Sequence, residues 1–196
     1  MRDFVAAVLA VAASASMAMA QASPAFSLDD LAALRAGVQQ DHARFREIRH
    51  LAALTAPLQR SGTLAYRRPD HLEMNVEAPA PERLVIDRGR LTITNASGER
   101  TLVLDSEPAL LAWTESLRAT LAGDVAALSR HFDVQLSGTA VAWTLALVPR
   151  DPALASQIAA IDIAGEGASV RRVRVRERGG DDSVMDIDAT EGASRP

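Results

Sequence analysis

The stretch that decides the fold is residues 62–94, GTLAYRRPDHLEMNVEAPAPERLVIDRGRLTIT. Its apolar side chains come in alternating sets: Leu64 and Tyr66; Leu72, Met74 and Val76; Leu84 and Ile86; Leu91 and Ile93. A period of two places each set on one face of an extended strand. The breaks between the sets are Arg68-Pro69-Asp70, Ala78-Pro79-Ala80-Pro81 and Asp87-Arg88-Gly89. They carry turn chemistry and are hairpin-length, so the strands form an antiparallel meander. Beyond the turn Asn95-Ala96-Ser97-Gly98, Leu102 and Leu104 extend it by a fifth strand.

Upstream, Ser27 reads as an N-cap, with Asp29 and Asp30 in the first turn and Leu31, Leu34 and Val38 at helical spacing. That pattern predicts an amphipathic helix. Phe45 to Leu51 fits either an extension of this helix or a first strand, and periodicity leaves both open. Downstream, Glu107-Pro108 opens a helical insertion with Leu110, Trp113, Leu117 and Leu121 on one stripe, and Gly123-Asp124 restarts a second helix ending near Phe132. Strands resume at Val134 to Leu136 and Val141 to Val148, the latter with Val141, Trp143, Leu145 and Leu147 on one face. Pro149 to Ala160 can add a helical turn, and Ile161 to Ala164, Val170 to Arg176 and Val184 to Ile187 complete a sheet of about ten strands. Arg172, Arg174 and Arg176 alternate with Val173 and Val175, the pattern of a half-buried strand with a solvated outer face.

The expected fold class is therefore mainly β (α+β): a curved antiparallel sheet with one apolar face, covered by a few short helices. That cover is thin. A concave face left partly uncovered makes an apolar ligand site, and one filled by its helices makes an ordinary core. The candidate lining is Leu64, Tyr66, Arg68, Met74, Val76, Leu84, Ile86, Leu91, Ile93, Leu102 and Leu104 from the meander, Trp113 and Leu117 from the insertion, and Trp143, Leu145 and Leu147 from the later strand. Arg68 shares the parity of Leu64 and Tyr66. A guanidinium on that face needs carbonyl, carboxylate or ligand oxygens, unless Pro69 ends the strand and lets it turn to solvent.

Composition narrows the function. Residues 1–20 read as a signal peptide, with an apolar run from Val5 to Ala13 and the cleavage site Ala18-Met19-Ala20, so the mature chain is expected to begin near Gln21 as a single domain, residues 21–196. The chain has no Cys, which excludes disulfides, thiolate metal sites and a Cys nucleophile. All 21 basic residues are Arg, so lysine-based phosphate or Schiff-base chemistry is excluded. The net charge of −4, without a long basic run, argues against nucleic acid. His42, His50, His71 and His131 show no metal-ligand spacing, and Ser61 and Ser183 sit in no Gly-x-Ser-x-Gly turn. No catalytic residue, metal or cofactor is expected.

The order Gly62-Thr63-Leu64-x-Tyr66-Arg67-Arg68-Pro69, Leu72-x-Met74, Pro79, and Leu84-Val85-Ile86-Asp87-Arg88-Gly89-Arg90-Leu91 resembles the periplasmic outer-membrane lipoprotein carriers of the LolA type. Phe45-Arg46-Glu47 resembles that family's Phe-x-Gln strand. Met74 stands at the family's tryptophan position, and Arg88 is inserted into its Asp-Gly turn. The resemblance implies a half-open antiparallel β-barrel with a helical lid over an apolar cavity for acyl chains. It implies that Arg68 latches the lid by bonding lid backbone and lets go when lipid enters. It further implies a monomeric periplasmic carrier of an acylated cargo, lipoprotein or glycolipid, passed from an inner-membrane donor transporter to an outer-membrane acceptor. A lipid-responsive periplasmic sensor is the alternative on the same fold.

Overall fold

The computed structural model describes residues 26–106, 111, 114 and 118–189. Their strands make one antiparallel sheet of 11. They are β1 (Gln40–His50), β2 (Leu58–Arg67), β3 (His71–Ala78), β4 (Glu82–Asp87), β5 (Arg90–Asn95), β6 (Gly98–Val103), β7 (Phe132–Gly138), β8 (Trp143–Pro149), β9 (Ile158–Glu166), β10 (Ser169–Glu177) and β11 (Asp182–Ala189). The order across the sheet is β6-β5-β4-β3-β2-β1-β11-β10-β9-β8-β7. Two meanders thus lie side by side, joined where β1 pairs with β11. The sheet is not closed. Its two edges, β6 and β7, are consecutive in the chain.

Phe45 belongs to a strand. Along β1 the buried positions Ala43, Phe45 and Glu47 alternate with exposed Arg44, Arg46 and Ile48, which is the two-residue period of a half-buried strand. The N-terminal helix α1 (Leu28–Ala36) begins with a capping box, in which Asp30 N–H donates to Ser27 Oγ (3.2 Å) and Ser27 N–H to Asp30 Oδ2 (2.8 Å). It ends at Gly37, so Val38 lies beyond the helix expected to contain it. Helical residues 118–122 and α2 (Val125–His131) precede β7, and α3 (Pro152–Ala155) precedes β9.

Two other expectations need correction. Leu104 is not a strand residue but starts a 3-10 turn, Leu104–Ser106, where it packs against Ile86, Leu91 and Ile93. Val141 is 77 % exposed in the turn before β8, which begins only at Trp143. Leu110, Trp113 and Leu117 lie outside the described residues.

The helices cover one half of the concave face. Leu31 of α1, Ala127 and Leu128 of α2 and Leu154 of α3 pack with Phe132, Trp143, Leu145, Leu147, Ile161 and Ile163 into the main core. Trp143 donates its indole N–H to the Gly167 carbonyl (2.9 Å), and its ring lies where a side chain at position 165 would stand. A Cβ on Gly165 would come within 2.1 Å of that ring. We therefore expect Gly165→Ala to destabilise the fold by about 1–3 kcal/mol, the usual cost of overpacking. Urea unfolding measures this, and an unchanged midpoint would contradict the packing described.

Candidate ligand cavity and its arginine clamps

Where the helices stop, a cavity of about 290 Å³ remains. It lies chiefly over β1–β5 and β9–β11. Leu64, Tyr66, Met74, Leu84, Ile86 and Leu91 line it from the first meander. Val170, Val173, Val175, Met185, Ile187 and Ile163 line it from the second, and Thr120 and Leu121 of helical residues 118–122 line it as well. Sequence reasoning omitted the residues from the second meander because their strands read as an ordinary packed face.

The other candidate lining residues sit elsewhere. Trp143, Leu145 and Leu147 belong to the main core, because α1, α2 and α3 are seated on that half of the sheet. Ile93, Leu102 and Leu104 pack in the smaller cluster beside the cavity, and Val76 is buried without lining it.

Arg68 faces inward. It donates from Nε to the Val38 carbonyl (2.8 Å) and from Nη2 to the carbonyls of Ala122 (2.7 Å) and Arg35 (3.2 Å). These acceptors lie at the C-terminal ends of α1 and of helical residues 118–122, where carbonyls lack intrahelical partners and the helix dipole favours a cation. One guanidinium therefore fastens two helix ends to the rim of the sheet.

A second arginine does the same and was not anticipated. Arg35, 1 % exposed, donates from Nε (3.0 Å) and Nη2 (2.7 Å) to the Leu121 carbonyl and from Nη1 to the Ala168 carbonyl, with Asp41 at 3.6 Å. Burial lowers its pKa, and the Asp41 carboxylate opposes that. The signal was present: Arg35 follows Leu31 by one helical repeat and so shares its buried face. Gly123, with φ of +72°, permits this close approach, since a Cβ there would stand 2.8 Å from that of Arg35.

The cavity also holds polar groups. The Tyr66 hydroxyl is buried without a hydrogen-bond partner, and burial raises its pKa. Glu47, only 6 % exposed, accepts from Arg60 Nη2 (2.6 Å) and Nε (2.8 Å) through a single oxygen, Oε2. Glu47 stands where the Phe-x-Gln pattern has its glutamine. Among the described residues no cluster of His, Asp or Glu could hold a metal, and no helix is long and apolar enough to cross a membrane.

Residues 15–194 match the family described as outer membrane lipoprotein carrier protein LolA-like. The chain belongs to this family. No curated protein matches the sequence significantly. Among solved structures, it is similar to a LolA superfamily protein from Nitrosomonas europaea at 9 % identity and a TM-score of 0.44, over 84 % of this chain and 92 % of that one. It is similar to a chain of the MucA/MucB complex of Pseudomonas aeruginosa at 15 % identity and a TM-score of 0.47, covering 86 % of this chain but 57 % of that one. LprF from Mycobacterium bovis aligns at 9 % identity and a TM-score of 0.33, over 86 % of this chain and 93 % of that one. The open antiparallel sheet is the LolA-like fold.

Replacing Arg35 by Met would leave the Leu121 and Ala168 carbonyls without these donors. A hydrogen bond from a charged group contributes about 1.5–3 kcal/mol. Arg35→Met should lower unfolding free energy by that amount and speed amide exchange at residues 118–124. Exchange there at the wild-type rate would show that Arg35 does not hold the segment.

Proposed function

We propose that this LolA-like protein is a periplasmic carrier, not an enzyme, which shields the acyl chains of a lipoprotein or related acylated molecule between an inner-membrane donor and an outer-membrane acceptor. One observation carries the reading: a cavity lined mainly by apolar side chains lies beside helix ends whose carbonyls two arginines bond. Export follows from residues 1–20 acting as a cleaved signal peptide.

Burial supplies the affinity. Ten methylenes removed from water contribute roughly 8 kcal/mol, which before the costs of association corresponds to a Kd of about 1 μM. That range is tight enough to shield a chain and loose enough to release it. At about 290 Å³ the closed cavity lies at the small end of ligand sites, roughly 300–1,000 Å³. A cargo with several chains must therefore displace the helical cover, and the arginine hydrogen bonds oppose that displacement. Arg68 is the latch in this scheme, since it reaches both helix ends at once.

The mature protein should bind a fluorescent fatty acid with about one-to-one stoichiometry in a fluorescence titration. A folded protein that binds none would remove the carrier reading. Arg68→Leu loses about 1.5–3 kcal/mol of closed-state bonding, which corresponds to cargo retention roughly tenfold to a hundredfold tighter. Transfer of labelled cargo to acceptor vesicles should slow accordingly. Equal affinities and equal transfer rates, with both proteins folded, would refute the latch. N-terminal sequencing of the periplasmic fraction should begin near Gln21, and retention in washed membranes would contradict the localisation.

A further inference from the structure

Glu47 and Arg60 are opposite one another across β1 and β2, with Glu47 buried and Arg60 partly buried. Replacing buried ion pairs by apolar residues is often neutral or stabilising, so a fold gains little from one placed on an apolar face. Glu47 sits on the central strand β1 and Arg60 on its neighbour β2, both line the cavity, and Met185 of β11 stands opposite Glu47 on the other side. Asp41 of the same strand also lines the cavity. The two acids are separated along β1 by roughly 20 Å, at about 3.3 Å per residue.

Its hydrogen bonding is incomplete in a specific way. Arg60 uses Nε and Nη2 on Glu47 Oε2 alone, which leaves Glu47 Oε1 and Arg60 Nη1 without a hydrogen bond. Glu82 Oε2 is 3.7 Å from Nη1, an ion-pair distance but beyond a hydrogen bond, and Glu82 is itself approached by Asn95 at 3.4 Å. One guanidinium thus faces two carboxylates, and the group carries a net negative charge beside one free acceptor and one free donor.

We propose that Glu47 and Arg60 form a headgroup subsite that selects acyl chains with a neutral head offering both a donor and an acceptor, such as an amide or a hydroxy ester, over chains ending in an ionised carboxylate. This rests on the acyl-carrier reading and names its ligand class. The head donates to Glu47 Oε1 and accepts from Arg60 Nη1. A carboxylate head meets the free acceptor and the net negative charge, so a fatty acid still binds through its chain but more weakly than the neutral-headed ligand.

The test measures displacement of an apolar fluorescent dye from the mature protein at pH 8, well above the carboxylate range. The competitors are N-palmitoylethanolamine and palmitate, both below their aggregation concentrations. Wild type should bind the amide at least tenfold more tightly. Glu47→Gln frees the Arg60 charge for a ligand carboxylate, so palmitate should gain about tenfold while the amide changes by less than threefold. The double variant Glu47→Leu with Arg60→Met keeps the site filled and uncharged, and it should lose the wild-type preference. Folding of each variant is checked by circular dichroism. A wild-type ratio near one, or a ratio that the folded variants leave unchanged, overturns the subsite while dye and acyl binding keep the carrier reading standing. Failure of dye and both lipids to bind a folded protein overturns both.

Discussion

The concave face of an eleven-stranded antiparallel sheet presents more apolar surface than the described helices cover, and this shortfall organises the molecule. Helices α1, α2 and α3 fill one half with a core around Phe132, Leu145 and Leu147. The other half keeps its apolar side chains against a cavity. An empty apolar space forfeits dispersion contacts on every wall. The neighbouring helix ends are held by directed arginine bonds to their carbonyls.

Those bonds follow from ordinary helix chemistry. A helix that ends over a sheet leaves carbonyls without partners, and here two guanidinium forks supply the donors. Arg35 and Arg68 are coupled, since the carbonyl of one accepts from the side chain of the other. Any movement of residues 121–122 breaks bonds to both. The contacts of residues 121–122 with these two side chains thus rest on a few directed bonds.

Polar groups within the cavity set the remaining energetics. A buried hydroxyl without a partner, as at Tyr66, costs about 1–3 kcal/mol. That cost is borne by the closed state and offsets part of what the arginines contribute. On the outer face, by contrast, Arg172, Arg174 and Arg176 pair with Asp186, Asp182 and Asp162 while remaining about half exposed, and such pairs contribute little.

The alternation from Leu64 to Ile93, with its hairpin-length breaks, was sufficient to establish a meander, since period two and short turns admit few other structures. Strand parity left Arg68 open between the apolar face and solvent, and only the family resemblance pointed to its bonds with backbone carbonyls. Phe45 to Leu51 remained open because an alanine and a glutamate occupy the buried positions of β1 beside Phe45, and neither signals an apolar stripe. Which apolar residues line the cavity and which fill the core was not legible at all. Leu145 and Leu64 have the same chemistry and the same strand parity, and they differ only in whether a helix distant in sequence is seated above them. The roles of Arg35 and Glu47 were hidden for the same reason. A charge in a sequence reads as solvated, and only the tertiary structure brings the carbonyls of Leu121 and Ala168, or the guanidinium of Arg60, close enough to make its burial affordable.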